Sequence, residues 1–361
     1  MRILFINDSV DVKSGIGRYA WEIIRRVKER GAEVIVLTRR KSSFDFVKQV
    51  LPDTFSSKGI FSPLREVRKY AKQCDIIHAL DGYPYGIIGA LAGIGLKKRL
   101  VINGVGTYSV LPLEQFLIKN LLKWVYRKAD RILCISNFTQ KEILKRVKLD
   151  NTEVVNLGVD CRRFANAMNL KKTGRVILSV GALKPRKGYH IAIQAVAKAK
   201  EKYPDIKYYI VGDQSHAAYF NKLKELSKNL GLEENIFFWQ NIEDEELIGL
   251  YGQADVFLLT PINIENNFEG FGLVYLEANA SGLPVIGSSD CGAEDIIKDN
   301  YNGLLVSQND TEGTAKAIIK LFDNQDFAKK LGENGMALAK KMSWDKTVDR
   351  YFEIYKSILQ K

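Results

Sequence analysis

Cysteine and histidine are scarce in this 361-residue chain, and the few present form no reactive pattern. Cys74, Cys134, Cys161 and Cys291 show no C-x-x-C spacing, which argues against a disulfide framework or a zinc site and predicts buried free thiols. His78, His190 and His216 are the only histidines; none is spaced for a metal or set beside a nucleophile signature such as G-x-S-x-G. For His78, at the end of an apolar run, a packed or hydrogen-bonded structural role is expected ahead of a catalytic one. D-x-D, the short acidic motif that would hold a divalent metal against a diphosphate, is also missing, so metal-independent chemistry is expected. Long apolar runs are lacking too. Ile87 to Leu96, interrupted by glycines, falls well short of the ~20 residues needed to span a bilayer. The opening Met1-Arg2-Ile3-Leu4-Phe5-Ile6 runs into Asn7 and Asp8 rather than into a signal-peptide core, so a cytoplasmic location is expected. No internal repeat or low-complexity tract is visible, which sets solenoids aside.

The chain is longer than the ~250–300 residues at which one hydrophobic core stops growing, so two domains are expected. Short runs rich in Val, Ile and Leu alternate with helical periodicity throughout, predicting an α/β protein whose parallel sheets are covered by helices on both faces. One series of strands is read at Ile3–Ile6, Val34–Leu37, Ile76–Ala79, Leu100–Ile102, Arg131–Ile135 and Glu153–Val155. A second begins at Val176–Val180 and continues through Tyr208–Val211, Ile236–Phe238, Val256–Leu259, Pro284–Ile286 and Gly303–Val306. The polar stretch Asp160 to Lys172 separates them, giving domains at 1–165 and 173–343 and a closing amphipathic helix at 344–361 able to dock on either.

Charge is unevenly spread. The net +12 arises from 30 Lys+Arg against 16 Asp+Glu in residues 1–170, the remainder carrying 24 against 26. A basic first half points to an anionic neighbour, either nucleic acid or a membrane face. Leu113 to Lys128 sharpens this: Lys119, Lys123 and Arg127 recur at helical spacing beside Phe116, Leu117 and Trp124. Such a helix suits an anionic lipid interface, and core packing with a basic outer face explains it equally well.

Three segments bear on chemistry. Glu269-Gly270-Phe271-Gly272-Leu273-Val274-Tyr275-Leu276-Glu277 places two carboxylates around a Gly-Phe-Gly turn and the opening of a helix. Backbone N–H groups and the positive helix end there suit a phosphate, and Glu277 suits a vicinal diol such as a ribose. Gly181 to Gly188 carries Lys184, Arg186 and Lys187 after a predicted strand, where they would neutralise a diphosphate; alone, such a turn is more often solvated surface. Gly15-Ile16-Gly17 precedes a helix, but eight residues separate it from Ile6, too many for a dinucleotide fingerprint. A loop touching a ligand, or a plain turn, fits better.

With these residues assembled, the chain resembles the retaining nucleotide-sugar glycosyltransferases of family 4. The resemblance runs from Gly15 and Gly17 through Ala129-Asp130-Arg131-Ile132, Ser136 and Asn156-Leu157-Gly158-Val159-Asp160. It continues at Val180-Gly181-Ala182-Leu183, Arg186-Lys187-Gly188, Ala254-Asp255-Val256-Phe257, the E-x7-E pair Glu269 and Glu277, and Gly282-Leu283-Pro284-Val285-Ile286. It implies a GT-B fold, two Rossmann-like domains facing across a cleft, the first binding the acceptor and the second the donor, with the last helix crossing back to the first. It further implies that Arg186 and Lys187 bind the donor diphosphate and Glu277 the ribose, while Glu269, with the backbone of Gly270, Phe271, Gly272 and Leu273, receives the transferred sugar. The donor is then a nucleotide diphosphate sugar, with no tightly bound cofactor and no metal. The partner is a hydroxyl acceptor, expected to be lipid-linked at the inner membrane face. Two departures stand out: Ala182 where many members carry Arg, and no histidine in Asn103-Gly104-Val105-Gly106, where many place one near the sugar. The competing expectations are a nucleotide-sugar epimerase of the same fold and a nucleic-acid-binding protein using the basic half.

Overall fold

The computed structural model describes residues 1–12, 14–52, 62–164 and 174–360. Contacts divide the chain into two units, the first made of Met1–Asn156 with Trp344–Lys361 and the second of Leu157–Ser343. The boundary lies ahead of the expected linker. Val159 N–H donates to Met342 O, and Phe164 is buried edge-on to Tyr251, so the chain is packed on the second unit through the first residues of the polar stretch. The rest of that stretch, from residue 165 on, lies outside the described residues.

Each unit is a parallel sheet dressed with helices. The first sheet has the order β3-β2-β1-β4-β5-β6-β7, with β1 at Arg2–Asn7, β2 at Glu33–Thr38, β3 at Val47–Gln49, β4 at Ile76–Ala79, β5 at Arg99–Gly104, β6 at Arg131–Cys134 and β7 at Thr152–Val154. The second has the order β10-β9-β8-β11-β12-β13: β8 at Val176–Val180, β9 at Lys207–Val211, β10 at Ile236–Trp239, β11 at Val256–Leu258, β12 at Val285–Ser288 and β13 at Gly303–Val306. Central strands are buried on both faces, which is why they read as continuous apolar runs. β3 escaped the sequence reading because only Val47 is buried while Lys48 and Gln49 face solvent, leaving no pattern to detect. In each sheet the strand order reverses once, between β1 and β4 and between β8 and β11. The carboxyl ends of the strands at such a reversal are the usual ligand position in folds of this kind.

The closing helix, Trp344–Leu359, belongs to the first unit. Its Trp344, Val348, Tyr351, Ile354, Tyr355 and Ile358 are buried, and two of its tyrosines join a polar network inside the apolar layer. His78 on β4 lies 2.6 Å from the Tyr355 hydroxyl through Nδ1 and 2.8 Å from Asn103 Oδ1 through Nε2. An amide oxygen only accepts, so Nε2 carries the proton and Nδ1 accepts from Tyr355. Asn103 then donates to Tyr351, at 2.9 Å, and to Tyr19 of the first helix, Gly15–Glu29. Arg30 adds ion pairs to Asp345 at 3.1 Å and Asp349 at 2.9 Å on the rim. The three scattered histidines thus include one whose role is to satisfy buried hydroxyls and an amide, as expected for His78.

Full burial pulls the His78 imidazole down to about 4, against the smaller opposing effect of its hydrogen bond to Asn103. An unfolded histidine binds its proton near pH 6.5, whereas the folded site refuses it until about 4, so the unfolded state holds more protons between these values. Stability therefore falls as pH drops through this window, by roughly 3 kcal/mol from this group. In thermal melts between pH 7 and 4.5, His78→Gln is expected to start lower than the native chain but to lose less on acidification. Parallel slopes for the two would remove this assignment.

Candidate functional site

The second unit assembles its polar centre at the β8/β11 reversal. β8 ends at Val180 and the chain turns through Gly181 to Gly188, with a single helical turn at Pro185–Lys187. The loop after β11 runs from Leu259 to Glu269, and the two are tied together. Ile262 N–H donates to Arg186 O at 2.8 Å, and Thr260 Oγ1–H donates to Gly188 O at 3.0 Å. Gly188 sits at φ +71, and a Cβ there would lie 1.7 Å from Thr260 O, so no other residue allows this approach.

That tie delivers two cations to one carboxylate. Lys187 Nζ lies 2.5 Å from Glu269 Oε2, and Arg186 Nη1 lies 3.3 Å from the same oxygen and 3.3 Å from Phe268 O. Glu269 is only 7% exposed. Burial alone would push its carboxyl up, but the charges of Lys187 and then Arg186, with their hydrogen bonds, outweigh it and hold the group below the usual carboxylate range. The cluster is thus ionised and water-poor, where charge interactions are strongest.

Beside it begins the helix Leu273–Ala280. Gly272 is left-handed at φ +80, and a Cβ there would meet the Tyr275 ring at 2.6 Å. The backbone of Gly270 is closely approached from another segment: a Cβ on Gly292 would lie 2.1 Å from Gly270 O, so it is Gly292 that must lack a side chain here. Its N-cap residue, Gly272, makes no side-chain cap, and Leu273 and Val274 at the helix start are half-exposed, an arrangement that suits an anion or water at the first N–H groups. Phe271 itself is buried, so any part it plays in binding is through its backbone. Glu277, also buried, belongs to a different set of partners: Tyr251 donates to its Oε2 at 3.0 Å and Arg163 Nη1 stands 3.9 Å from its Oε1.

The sequence-derived residues thus sort into three places. Arg186, Lys187 and Glu269 are in contact, with Gly270 to Leu273 following directly. Glu277 lies further along the helix among Tyr251 and Arg163, neither of which the sequence had singled out. Gly15 and Gly17 belong to the first unit. There Ser14 caps the helix by accepting from Gly17 N–H at 3.1 Å, and a Cβ on Gly17 would lie 2.0 Å from Asp11 O, so packing alone accounts for Gly17. Around Gly15 nothing lies within 4 Å of an added Cβ, so no packing demand explains it. Where the sequence lacks a histidine, Asn103 to Gly106, Val105 N–H donates to Ser109 Oγ at 2.7 Å, and Ser109 Oγ–H lies 3.2 Å from Asp81 Oδ1. Burial pushes the Asp81 carboxyl up to about 7, against its hydrogen bonds to Tyr83, Ser109 and Gly82. Among the described residues, no group of three or more His, Cys, Asp or Glu is placed to hold a metal ion.

Two family models match consecutive stretches, Glycosyltransferase Family 4 over residues 13–163 and Glycosyl transferases group 1 over residues 162–337. This chain is a glycosyltransferase. An uncharacterized glycosyltransferase of Methanocaldococcus jannaschii is 29% identical, with 99% of each chain covered. A GDP-mannose-dependent phosphatidylinositol monomannoside mannosyltransferase of Mycolicibacterium smegmatis is 28% identical over 70% of this chain and 68% of its own. Among solved structures, Anabaena HepE in complex with UDP and glucose shares the fold with a TM-score of 0.84 at 21% identity, covering 99% of this chain and 100% of that one. The glycosyltransferase therefore has the GT-B architecture of two units built on parallel sheets.

The burial of Glu269 between two cations makes a specific energetic prediction. Removing one partner of a buried ion pair costs about 3–5 kcal/mol because the other charge is stranded. Lys187→Met is expected to lower the unfolding free energy by an amount near the bottom of that range, since Arg186 remains. Adding Glu269→Gln should restore part of it. Urea titrations giving strictly additive losses would show that the pair is not coupled.

Proposed function

We propose that this glycosyltransferase moves a sugar from a nucleotide diphosphate donor to a hydroxyl acceptor with retention of anomeric configuration, in the assembly of a glycolipid or polysaccharide. The observation that carries the proposal is the contact of Arg186 and Lys187 with Glu269 beside an uncapped helix start, at the sheet reversal of the second unit. Two cations and the N–H groups of a helix start suit a pyrophosphate, and the mannosyltransferase named for GDP-mannose and the HepE structure with UDP support a donor of that class. Retention rests on the resemblance to family 4.

In this reading Arg186 and Lys187 stabilise the negative charge that grows on the β-phosphate as its bond to the anomeric carbon breaks. The acceptor oxygen bonds to the same face of that carbon, and its proton passes to an oxygen of the leaving phosphate. Glu269 orients the sugar, Glu277 the ribose, and Gly270 to Leu273 the phosphate and sugar through the backbone. The two side-chain cations supply the charge that a metal would otherwise bring, and the donor is a substrate, with no resident cofactor. Arg186→Ala and Glu269→Ala are each expected to cut kcat/KM at least about 100-fold. Product NMR should show the donor's anomeric configuration, with turnover unaffected by EDTA. Near-native turnover by Glu269→Ala would remove the site, and an inverted product would remove the mechanism.

The acceptor is proposed to be lipid-linked and the enzyme peripheral on the cytoplasmic membrane face. No helix among the described residues is long and apolar enough to cross a membrane. The basic helix begins later than the sequence reading placed it, at Lys119–Lys128, because Glu114 to Ile118 form an irregular link after a short turn at Leu111–Leu113. That link exposes Phe116 by 81% and Leu117 by 84%, with Lys119 against the Phe116 ring. Leu122, Val125 and Tyr126 are buried, which accounts for the inner face of the helix as packing. Two bare apolar side chains beside Lys119, Lys123 and Arg127 suit an anionic bilayer surface. The native enzyme should float with phosphatidylglycerol-rich liposomes and poorly with phosphatidylcholine, and Phe116→Ser with Leu117→Ser should abolish the difference. Equal flotation with both lipids would sink the membrane reading while leaving the transfer chemistry intact.

A further inference from the structure

We infer that Arg163 is a positioning residue for the nucleotide end of the donor site, holding the Glu277 carboxylate in the orientation that receives the ribose diol. The inference rests on the reading of Glu277 as the ribose grip, and deepens it by naming what sets that grip.

Two adjacent arginines occupy the short helix Cys161–Phe164, and the fold treats them oppositely. The Arg162 side chain is 85% exposed and meets Asp160 at 3.4 Å. That of Arg163 is 21% exposed and turns inward. Its guanidinium lies 5.2 Å from the ring of Phe164, which is buried edge-on against Tyr251. Tyr251 in turn donates to Glu277 Oε2 at 3.0 Å. The aromatic pair therefore fixes both the guanidinium and the phenol that address one carboxylate.

The two oxygens of Glu277 are addressed differently. Oε2 accepts from Tyr251, whereas Oε1 faces Arg163 Nη1 from 3.9 Å, a charge contact beyond hydrogen-bond length. Arg163 Nη2 stands 2.9 Å from Asp244 Oδ1 but off the hydrogen-bond direction, and it has no hydrogen-bond partner among the described residues. The arrangement answers a charge problem, because a buried carboxylate needs a cation, and Arg163 lies against both Glu277 and Asp244 as their shared counter-charge. Without it the Glu277 carboxylate would lose that countercharge.

The test compares nucleotides with and without the diol. Calorimetry of the full chain with UDP, GDP, ADP and CDP identifies the nucleotide bound best, and its 2′-deoxy and 3′-deoxy counterparts are then measured. Arg163→Met is expected to weaken the ribonucleotide about tenfold while changing the deoxy forms less than about twofold, and Arg163→Lys to recover part of the loss. Glu277→Gln should discriminate in the same sense. If Glu277→Gln discriminates and Arg163→Met weakens all forms equally or none, positioning by Arg163 is refuted and the ribose grip survives. If Glu277→Gln itself fails to discriminate, the ribose reading falls first and the inference with it. Thermal melts identify any Arg163→Met loss due to unfolding, and Arg163→Lys then carries the comparison.

Discussion

An ionised carboxylate nearly sealed from water is the constraint around which the second unit is arranged. Glu269 is tolerable only because Lys187 and Arg186 reach it, and they reach it only because the loops after β8 and β11 are bound to each other through Ile262, Thr260 and Gly188. The glycines follow from the same constraint. Side chains at Gly188 or Gly272 would drive apart the segments that bring opposite charges together. The arrangement is costly to bury and sensitive to the loss of one partner.

The first unit solves a different problem with neutral groups. Its sheet is closed on one side by the helix that ends the chain; inside, that helix is held by hydroxyls satisfied through His78 and Asn103, with ion pairs from Arg30 at the rim. A histidine can play this part because its two nitrogens donate and accept at once, joining Tyr355 to Asn103 without an ion. Asn103 is the last residue but one of β5, so the network also fixes where the following Gly104-Val105-Gly106 turn begins. Many of the cations of this unit, by contrast, are answered locally by carboxylates, as in the pairs of Arg146 with Glu142 and Glu114.

Much of the fold was legible because parallel strands buried on both faces leave uninterrupted apolar runs, as β8, β11 and β12 of the second sheet do. β3 did not, having one buried residue in three. The basic helix was misplaced at its start because Phe116 and Leu117 continue an amphipathic pattern that the backbone does not follow. The two segments that carry Lys187 and Glu269, some 80 residues apart, were legible from charge and glycine spacing, but the contact of both cations with Glu269 was not. Arg163 and Tyr251 were not, since nothing local distinguishes Arg163 from its exposed neighbour Arg162.

By itself the sequence determined the class of fold, the presence of two α/β units and the residue types available for holding an anion, because burial on two faces and glycine at strained turns leave marks in the order of residues. Only the tertiary structure decided which arginine faces inward, where the closing helix docks and which carboxylate each cation meets. Those choices depend on packing between segments distant along the chain, and local sequence carries no record of which surface a side chain will find.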